Sequence, residues 1–442
     1  MVVGRKQMSR GHWEAGRALR AVVPRSSHAV WDPSGRTEPL RLIDESNQHR
    51  VPDLVPIRDA RMAASPFAFL RGAPAVMVHD LATTPVTGIT VQACGDAHLL
   101  NFGLFATPER NLVFGLNDFD ETLPAPWEWD VKRLATSFVV AARTVGFDQA
   151  LGHRAALATV RTYRELMARY AGMRLLEVWY SRVDASAIVA MSRGRRRRAV
   201  ARRLARAQHH TNLDALPRLT ETAGDGRRFV ENPPLLTHVE ECGQDWIEEV
   251  LSRYRSSLSD ERHQLLDRFR PRDAARKVVG VGSVGTRCYV VLLLGEHHDD
   301  DPLLLQIKQA TSSVLEPYAG RSRYRHPGRR VVNGQRLLQT ASDIFLGWTN
   351  DGTADYYVRQ LWDMKGSVDL DTLDPGDLVP YARLCGWVLA RAHARSGDAS
   401  AISGYLGSGD RFDQAVATFA EAYADQTESD YAAFKQVRGR SS

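Results

Sequence analysis

Apolar residues recur at helical spacing in three stretches of the chain. Residues 131–145 and 157–173 repeat apolar positions every three or four residues, which predicts two amphipathic helices. Residues 376–396 carry one apolar stripe and predict a third helix near the end of the chain. The pattern therefore predicts helical segments on both sides of a central region with a different character.

That central region, residues 272–362, contains short apolar runs typical of β-strands. One run precedes a group of glycines, and "RCYVVLLLG" and "PLLLQIK" follow it, which predicts three strands in a row. Next, "VNGQRLLQTASDIFLGW" predicts a helix that leads into a strand, and "DYYVRQL" follows across the turn-forming "NDGT", which predicts a hairpin. Two shorter β-rich stretches, "ITVQACG" and "NLVFGLNDFD", occur earlier and lead into acidic residues.

These changes of pattern predict an α+β fold in four parts. Residues 1–60 contain proline and glycine punctuation and are expected to form a loop-rich N-terminal extension. Residues 61–271 and 366–442 are expected to form a mainly helical large lobe in two parts. Residues 272–365 are expected to form a small β-rich lobe inserted late in the chain. A length of 442 residues is sufficient for such a two-lobed enzyme.

Composition narrows the class of protein further. Hydrophobic residues make up 43% of the chain and charged residues 25%, which leaves ample material for a core. No apolar run approaches the ~20 residues that span a bilayer, and the N-terminus lacks the apolar region of a signal peptide. The four cysteines lie far apart without a CxxC pair, which argues against a zinc site or a disulfide framework. We therefore expect a cytoplasmic protein without a membrane partner.

The formal net charge of +6 is modest for this length, so a nucleic-acid partner is not required. Eight arginines nevertheless fall within residues 193–206. The simplest interpretation is a solvated basic face or a mobile insertion, and docking of an acidic partner is the alternative. The stretch has no interleaved aromatic residues to stack on bases, which disfavours nucleic acid.

Two acidic motifs carry the first candidate chemistry. "CGDAHLLNFG" contains Asp96, His98 and Asn101, and "NDFDET" contains Asp118 and Asp120. Phosphoryl transfer requires a carboxylate near the attacking hydroxyl and oxygen ligands for Mg²⁺. The spacing D-x-x-x-x-N places a carboxylate and an amide oxygen on one tight loop, and the second motif can complete a metal site. Turn and helix caps are the alternative interpretation of both motifs.

A glycine-rich turn is the second candidate. Gly280, Gly282 and Gly285 form a GxGxxG pattern around Ser283 in "VVGVGSVGTRCYVV". A dinucleotide site would require a helix at the third glycine, but an apolar strand follows here. In kinases, the glycine-rich loop that covers the nucleotide phosphates joins two strands in the same way. A β-hairpin with a flexible turn remains the alternative.

Lys308 lies within the next apolar strand, "LLLQIKQA". A lysine at such a position is costly to bury unless its ammonium meets an anion, and from this strand it can reach nucleotide phosphates. Alternatively, it occupies the solvent side of an edge strand. Glu316 is the only glutamate between Lys308 and "DYYVRQL", so by elimination we assign it as the carboxylate partner of the lysine.

Several of these motifs also resemble a known family. "PFAFLRGAPAVMVHDLA", "CGDAHLLNFG", "NDFDETLPAPWEWDVKRLA", "VGVGSVGTRC", "DIFLGW" and "LARAHARSGD" resemble the bacterial domain of unknown function 2252, over about residues 15 to 430. The acidic loops resemble those of aminoglycoside and choline phosphotransferases, which read H-G-D-x-x-x-x-N. That resemblance implies that Asp96 is the catalytic base and that Asn101 and Asp118 are Mg²⁺ ligands. It also implies that Asp130 anchors the loop, in which Cys94 replaces the histidine.

The order of the motifs differs from that of kinases, because the acidic loops precede the glycine turn. A circular permutation explains this order, since it leaves packed lobes intact when the breakpoints lie at the surface. In a protein-kinase-like two-lobed fold so permuted, "WDMKGS" is the hinge and residues 376–396 are the helix before the catalytic loop. His393 and Asp398 are then expected near Asp96, where they either assist catalysis or cap a helix.

The sequence therefore predicts an ATP- and Mg²⁺-dependent phosphotransferase that acts on an unidentified hydroxyl acceptor. Asp96, His98 and Asp398 form the predicted catalytic set. Nucleotidyl transfer from the same site is also compatible with these motifs. A nucleotide-binding pseudokinase and a metal-dependent phosphohydrolase, to which the D-x-H pair points, are the alternatives.

Overall fold

The computed structural model describes residues 2–191, 197–198, 201–202, 204–205, 212–223, 226–240, 243–361 and 366–439. The protein is a mixed α+β structure in which helices predominate. The helices are α1 (Val2–Ala18), α2 (Pro39–Asn47), α3 (Val55–Met62), α4 (Pro66–Gly72), α5 (Pro74–Leu81), α6 (Trp127–Thr144), α7 (Gln149–Ala171), α8 (Leu175–Tyr180), α9 (Ala185–Met191), α10 (Asn212–Leu219), α11 (Gln244–Arg255), α12 (Asp260–Leu266), α13 (Glu316–Ala319), α14 (Pro327–Leu338), α15 (Pro375–Ser396), α16 (Ala399–Leu406) and α17 (Arg411–Arg438).

The strands form one large sheet and several small ones. They are β1 (Thr90–Ala93), β2 (Phe102–Ala106), β3 (Leu112–Leu116), β4 (Leu123–Pro126), β5 (Val183–Asp184), β6 (Thr220–Ala223), β7 (Gly226–Phe229), β8 (Leu236–Thr237), β9 (Phe269–Lys277), β10 (Cys288–Gly295), β11 (His298–Gln309), β12 (Gly347–Asn350), β13 (Asp355–Gln360) and β14 (Gly366–Ser367). The large sheet has the order β12-β13-β11-β10-β9-β8, and a four-stranded sheet has the order β14-β2-β3-β5. Two further pairs, β1-β4 and β6-β7, complete the described strands.

The predicted helices pack together as a helical body. The apolar stretches at 131–145, 157–173 and 376–396 form α6, α7 and α15, which confirms them as helices. Helix α6 is buried almost throughout its length, and its Trp127 stacks on Tyr163 of α7 with ring centroids 5.7 Å apart. Because α6 is enclosed on all sides, its few charged side chains must find partners inside the protein.

The large sheet follows the predicted order of strands, and the hairpin β12-β13 forms where the sequence predicts it. Successive side chains of β10 point to opposite faces. Val291 packs in one apolar cluster with Val250 of α11, whereas Val290 packs in another with Leu216 of α10. Lys308 lies in β11 opposite Cys288 of β10, and only 2% of its surface is exposed. The lysine is therefore buried within the sheet. The alternative interpretation, in which Lys308 lies on the solvent side of an edge strand, is wrong.

The first 60 residues differ from the loop-rich extension that the sequence predicts. Helices α1 and α2 and most of α3 fall within them. The prolines act as helix starts, because Pro39 and Pro56 occupy the first turn of α2 and α3. At that position proline's missing N–H costs nothing and its fixed φ favours the helix. Strand β8 also joins the large sheet from the segment before residue 272, so the sheet extends beyond the predicted boundary.

The described residues allow only part of the remaining predictions to be compared with the structure. No helix of the described residues has the length and apolar character needed to cross a membrane. Cys94, Cys288 and Cys385 are buried free thiols. Most of the arginine-rich stretch 193–206 and residues 362–365 of the predicted hinge lie outside the described residues. Their proposed roles, and the boundaries of the four parts, remain predictions.

The close packing of α15 on α7 generates a test of the helical body. A Cβ atom built at Gly386 would lie 2.4 Å from the carbonyl oxygen of Thr159, so the helices must separate to admit it. We expect Gly386→Ala to lower the free energy of unfolding by about 1–3 kcal/mol, measured by urea denaturation. Gly11→Ala in α1 is the control, because a Cβ there meets nothing within 4 Å. Equal unfolding midpoints for the two variants would contradict this packing.

Candidate active site

The loop that follows β1 is anchored by Asp130 of α6. The Asp130 carboxylate accepts hydrogen bonds from the backbone N–H groups of Cys94 at 2.6 Å and Gly95 at 3.0 Å. Its Oδ2 also lies 3.2 Å from Nε2 of His393, whose Nδ1 contacts the Tyr163 hydroxyl at 2.9 Å. These contacts show that Asp130 holds the loop in place. His393 contacts the Asp130 carboxylate, and no contact with Asp96 is seen among the described residues.

Arg133 lies one helical turn after Asp130 and holds the neighbouring carboxylate. Its Nε donates to Oδ1 of Asp96 at 2.6 Å, and its Nη2 donates to the Leu70 carbonyl at 3.0 Å. Burial raises the pKa of Asp96, Arg133 opposes this effect, and the nearby Asp118 reinforces it. Arg133 was not predicted from the sequence, although residues three apart on a helix, such as Asp130 and Arg133, share a face. Oδ1 of Asp96 is thereby fixed, and Oδ2 is the oxygen left for chemistry.

Asn101 and His98 flank Asp96 on the same loop. The Asn101 side-chain amide donates to the Asp96 carbonyl at 2.7 Å, which directs its amide nitrogen toward the protein. Nε2 of His98 lies 3.8 Å from Oδ2 of Asp96. Burial, with Arg71 and Arg133 nearby, lowers the pKa of His98 well below its usual value, so the imidazole is neutral. Its Nδ1 is buried without a hydrogen-bond partner among the described residues.

The acidic turn after β3 is joined to this loop. The thiol of Cys94 donates to the carbonyl oxygen of Asp118 at 3.3 Å, so Cys94 links the two acidic segments. Oδ1 of Asp118 accepts the backbone N–H of Asp120 at 3.2 Å. Asp96 and Asp118 are therefore held close together, although 22 positions separate them in the sequence.

Lys308 forms an ion pair with Asp120. Tyr357 lies directly opposite Lys308 in the β11-β13 register, and its hydroxyl donates to the other Asp120 oxygen at 2.9 Å. Burial alone would lower the pKa of Lys308, but the Asp120 charge outweighs it and raises that pKa above its usual value. The same pair lowers the pKa of Asp120 despite its burial. The two side chains therefore remain charged inside the protein.

This ion pair corrects one assignment. Glu316 does not partner Lys308; it begins α13, and its Oε1 accepts the N–H of Ser313 at 3.3 Å. Elimination along the sequence failed because the partner comes from a distant turn. Asp120, predicted as a metal ligand, accepts contacts from Lys308 and Tyr357 on its two oxygens, and its role as a ligand stays a prediction. Asn101 and Asp118 are the other predicted oxygen donors.

The glycine turn between β9 and β10 faces these acidic residues. Gly280 and Gly285 have φ values of 67° and 89°, which L side chains rarely adopt. Ser283 Oγ lies 3.5 Å from Oδ2 of Asp120. The N-terminal helices hold the turn, because Arg61 donates to the Gly280 carbonyl and Val51 N–H donates to the Gly285 carbonyl at 2.7 Å. The turn is therefore fixed in place rather than a free hairpin loop.

The loop that carries Asp96 and the glycine turn line one cleft. It contains about 990 Å³ of empty space, part of which is continuous with solvent. Most of the predicted site residues line it, namely Asp96, His98, Asn101, Asp118, Asp120, Gly280, Gly282 and Ser283. Lys308 reaches its edge through Asp120, while Gly285 and Glu316 lie outside the lining. The structure thus brings together residues that are nearly 190 positions apart in the chain.

Asp398 is the predicted catalytic residue that the structure does not bring to this cleft. Its Oδ1 accepts the N–H of Ala401 at 2.9 Å and caps α16, and its Oδ2 contacts Nδ1 of His12. The residue lies beyond the helix that carries His393 and outside the cleft lining. Capping of a helix, the alternative that the sequence left open, is its observed role.

The donors in the cleft suit Mg²⁺ only in combination with a substrate. Among the described residues no group of three or more His, Cys, Asp or Glu side chains is arranged to hold a metal ion. Mg²⁺ in kinase sites instead retains waters and binds through one or two carboxylates plus substrate phosphates. The Asp118 carboxylate and the Asn101 amide oxygen fit that smaller requirement.

The family described as "Uncharacterized protein conserved in bacteria (DUF2252)" matches residues 50–437, and the chain belongs to this family. The matched range includes both acidic segments, the glycine turn and Lys308. Neither the comparison with curated proteins nor that with solved structures found a match.

Glu121, beside the acidic turn, generates a pH test of the site. Burial raises its pKa from 4.5 to about 7, while Arg330 and the Val314 N–H oppose the shift. Because the folded state disfavours the charged form, stability from this group is present below pH about 4.5 and falls as the pH rises to about 7. We expect Glu121→Gln to reduce that fall by up to about 3 kcal/mol, measured by urea unfolding at several pH values.

The control for this test is Glu165→Gln, because 59% of the Glu165 side chain is exposed. Its pH profile should run parallel to that of the wild-type protein. A parallel profile for Glu121→Gln as well would show that the Glu121 carboxyl is not held in a desolvated site.

Proposed function

We propose that the protein is an ATP- and Mg²⁺-dependent phosphotransferase with a kinase-like, circularly permuted two-lobed fold. It transfers a phosphoryl group to a hydroxyl acceptor. One observation carries the proposal: the Asp96 loop and the Asp118 turn face a glycine turn across one cleft, and a buried lysine reaches its edge. Phosphotransferase sites recurrently contain a carboxylate base, oxygen donors for Mg²⁺, a turn that covers the phosphates and a lysine.

In this proposal the large sheet is the small lobe and the helical body is the large lobe. The glycine turn joins β9 to β10, and Lys308 lies on β11, as in the kinase arrangement of glycine loop and lysine strand. In kinases a helix supplies the lysine's carboxylate partner. Here α14 follows β11 but contributes Arg330, which donates to the carbonyls of Asp120 and Thr122 at 2.7 Å each. The acidic turn supplies the carboxylate instead.

Asp96 is proposed as the proton acceptor. The acceptor oxygen attacks the γ-phosphorus of ATP, the bond to the β-phosphate oxygen breaks, ADP leaves, and the hydroxyl proton passes to Oδ2 of Asp96. Arg133 holds Oδ1, which orients the carboxylate and keeps its second oxygen toward the cleft. The raised pKa of Asp96 makes it a better proton acceptor than an exposed aspartate.

The other residues are proposed to position the nucleotide. Backbone N–H groups of the glycine turn would cover the phosphates, and Lys308 would reach them by sharing or exchanging its contact with Asp120. Asn101 and Asp118 would hold Mg²⁺, which when bound neutralises charge on the β- and γ-phosphates. Positioning and electrostatic stabilisation would supply most of the rate.

Two alternatives use the same cleft differently. Nucleotidyl transfer would involve attack at another phosphorus, and a pseudokinase would bind nucleotide without turnover. A two-metal phosphohydrolase requires several additional ligands, and the described residues offer no such cluster. The glycine turn would also have no role in that reaction, so phosphoryl transfer has the stronger support.

Nucleotide binding is the first test. We expect Mg²⁺ and ATP together to raise the melting temperature of the wild-type protein, because a ligand at 100 times its Kd stabilises the folded state by about 2.7 kcal/mol. Asp118→Asn should lose the part of the shift that depends on Mg²⁺. Asp425→Asn, whose side chain is 71% exposed, should behave as wild type. The absence of any shift with ATP, with or without Mg²⁺, would refute the proposal.

Turnover is the second test. Asp96→Asn keeps an oxygen for Arg133 but removes the base, so we expect ADP formation to fall by about 10²- to 10⁴-fold with nucleotide affinity little changed. ADP release and nucleotide titration measure the two quantities. Full turnover in this variant would remove Asp96 from the mechanism. Wild-type protein that binds ATP without turnover on any hydroxyl acceptor would favour the pseudokinase.

A further inference from the structure

Three arginines with no role in the proposed phosphoryl transfer line the same cleft. Arg50 follows α2, Arg58 lies in α3 and Arg71 lies in the last turn of α4. All three belong to the N-terminal segment, part of which holds the glycine turn. Arg50 donates to the carbonyl of Val284 in that turn, so the cluster lies where the helices and the turn meet.

None of the three arginines forms a salt bridge with a described residue. Arg58 is only 1% exposed; it donates to the Asn47 side chain at 2.9 Å and the Gly72 carbonyl at 2.6 Å. The guanidinium of Arg71 contacts the Phe67 ring at 6.0 Å, and the Nε atoms of Arg58 and Arg71 are buried without hydrogen-bond partners. A buried guanidinium such as that of Arg58, hydrogen-bonded only to neutral groups, is costly, and an oxyanion in the cleft would offset that cost.

The start of α5 adds a second, independent attraction for an anion. Ala73, Pro74 and Ala75 at the beginning of this helix line the cleft next to Arg71. Ala73 at the N-cap forms no side-chain cap on the first turn. A helix N-terminus carries a partial positive charge that attracts oxyanions.

Carboxylates near the cluster interact with it electrostatically, but among the described residues none forms a salt bridge with these arginines. Arg133 already pairs with Asp96, and Lys308 already pairs with Asp120. Asp118 is proposed to hold a cation, and Glu121 accepts the N–H of Val314 at 2.8 Å. The remaining positive charge is therefore available for a ligand.

We propose that Arg50, Arg58, Arg71 and the start of α5 bind an oxyanion of the acceptor, either phosphate or carboxylate. The acceptor would then be an anionic compound that carries the reacting hydroxyl. Arg71 lines the same cleft as Asp96 and Asp118, which places the anion beside the proposed base. The acceptor assignment rests on the proposed phosphotransferase function, whereas anion binding by the arginines does not.

The test uses inorganic phosphate and malonate as probes of the full-length protein, by calorimetric titration. Each is titrated with and without Mg²⁺ and a saturating non-hydrolysable ATP analogue. We expect at least one probe to bind in both conditions and Arg71→Gln to weaken it at least tenfold, while Arg71→Lys weakens it less. Arg41→Gln is the control, because Arg41 is 73% exposed on α2 and pairs with Glu45 on the protein surface. Circular dichroism checks that each variant is folded.

The outcomes separate the two proposals. Displacement of both probes by the ATP analogue would show that the arginines bind nucleotide phosphates, which would overturn the acceptor site. Equal affinity of wild type and Arg71→Gln would overturn it too. If the analogue does not bind while phosphate binding depends on Arg71, the phosphotransferase function fails and the anion site stands.

Discussion

The buried ion pair between Lys308 and Asp120 is the contact on which the arrangement of the cleft depends. Each charge would be costly inside the protein without the other, and loss of one partner of such a pair costs about 3–5 kcal/mol. Lys308 lies in the sheet and Asp120 lies in a turn of the helical body, so the pair forms only when the two regions are packed together. Its geometry therefore couples the position of the glycine turn to that of the acidic loops.

Helix α6 supplies the matching constraint on the other side of the cleft. Asp130 binds two backbone N–H groups of the loop that carries Asp96, and Arg133 binds the Asp96 carboxylate one turn later. Both side chains project from one face of a helix that is enclosed by apolar contacts. Since the helix cannot rotate without exposing its core face, the loop and its carboxylate are held in one orientation. Such rigidity is what a site that acts by positioning requires.

The sequence predicted elements whose signal is local. The strands of the large sheet, its hairpin and the long helices follow directly from apolar spacing, and the acidic and glycine motifs do line one cleft. The partners of individual side chains were harder to predict from the sequence, because they depend on which distant segments of the chain meet in the fold. Glu316 is the only glutamate between Lys308 and β13, but Tyr357, which faces the lysine in the strand register, and Asp120 surround the lysine instead.

The N-terminal helices were underestimated for a related reason. Prolines in a sequence usually indicate the end of a helix, but a proline in the first turn favours the start of one. Helices α2 to α5 all begin with a proline in the first turn. Helix α3 and the loop before it donate hydrogen bonds to the carbonyls of Gly280, Val284 and Gly285. They therefore form a wall of the cleft and fix its glycine turn. A site assembled from four separate stretches of chain is defined by the contacts across it, and those contacts hold whichever stretch comes first in the sequence.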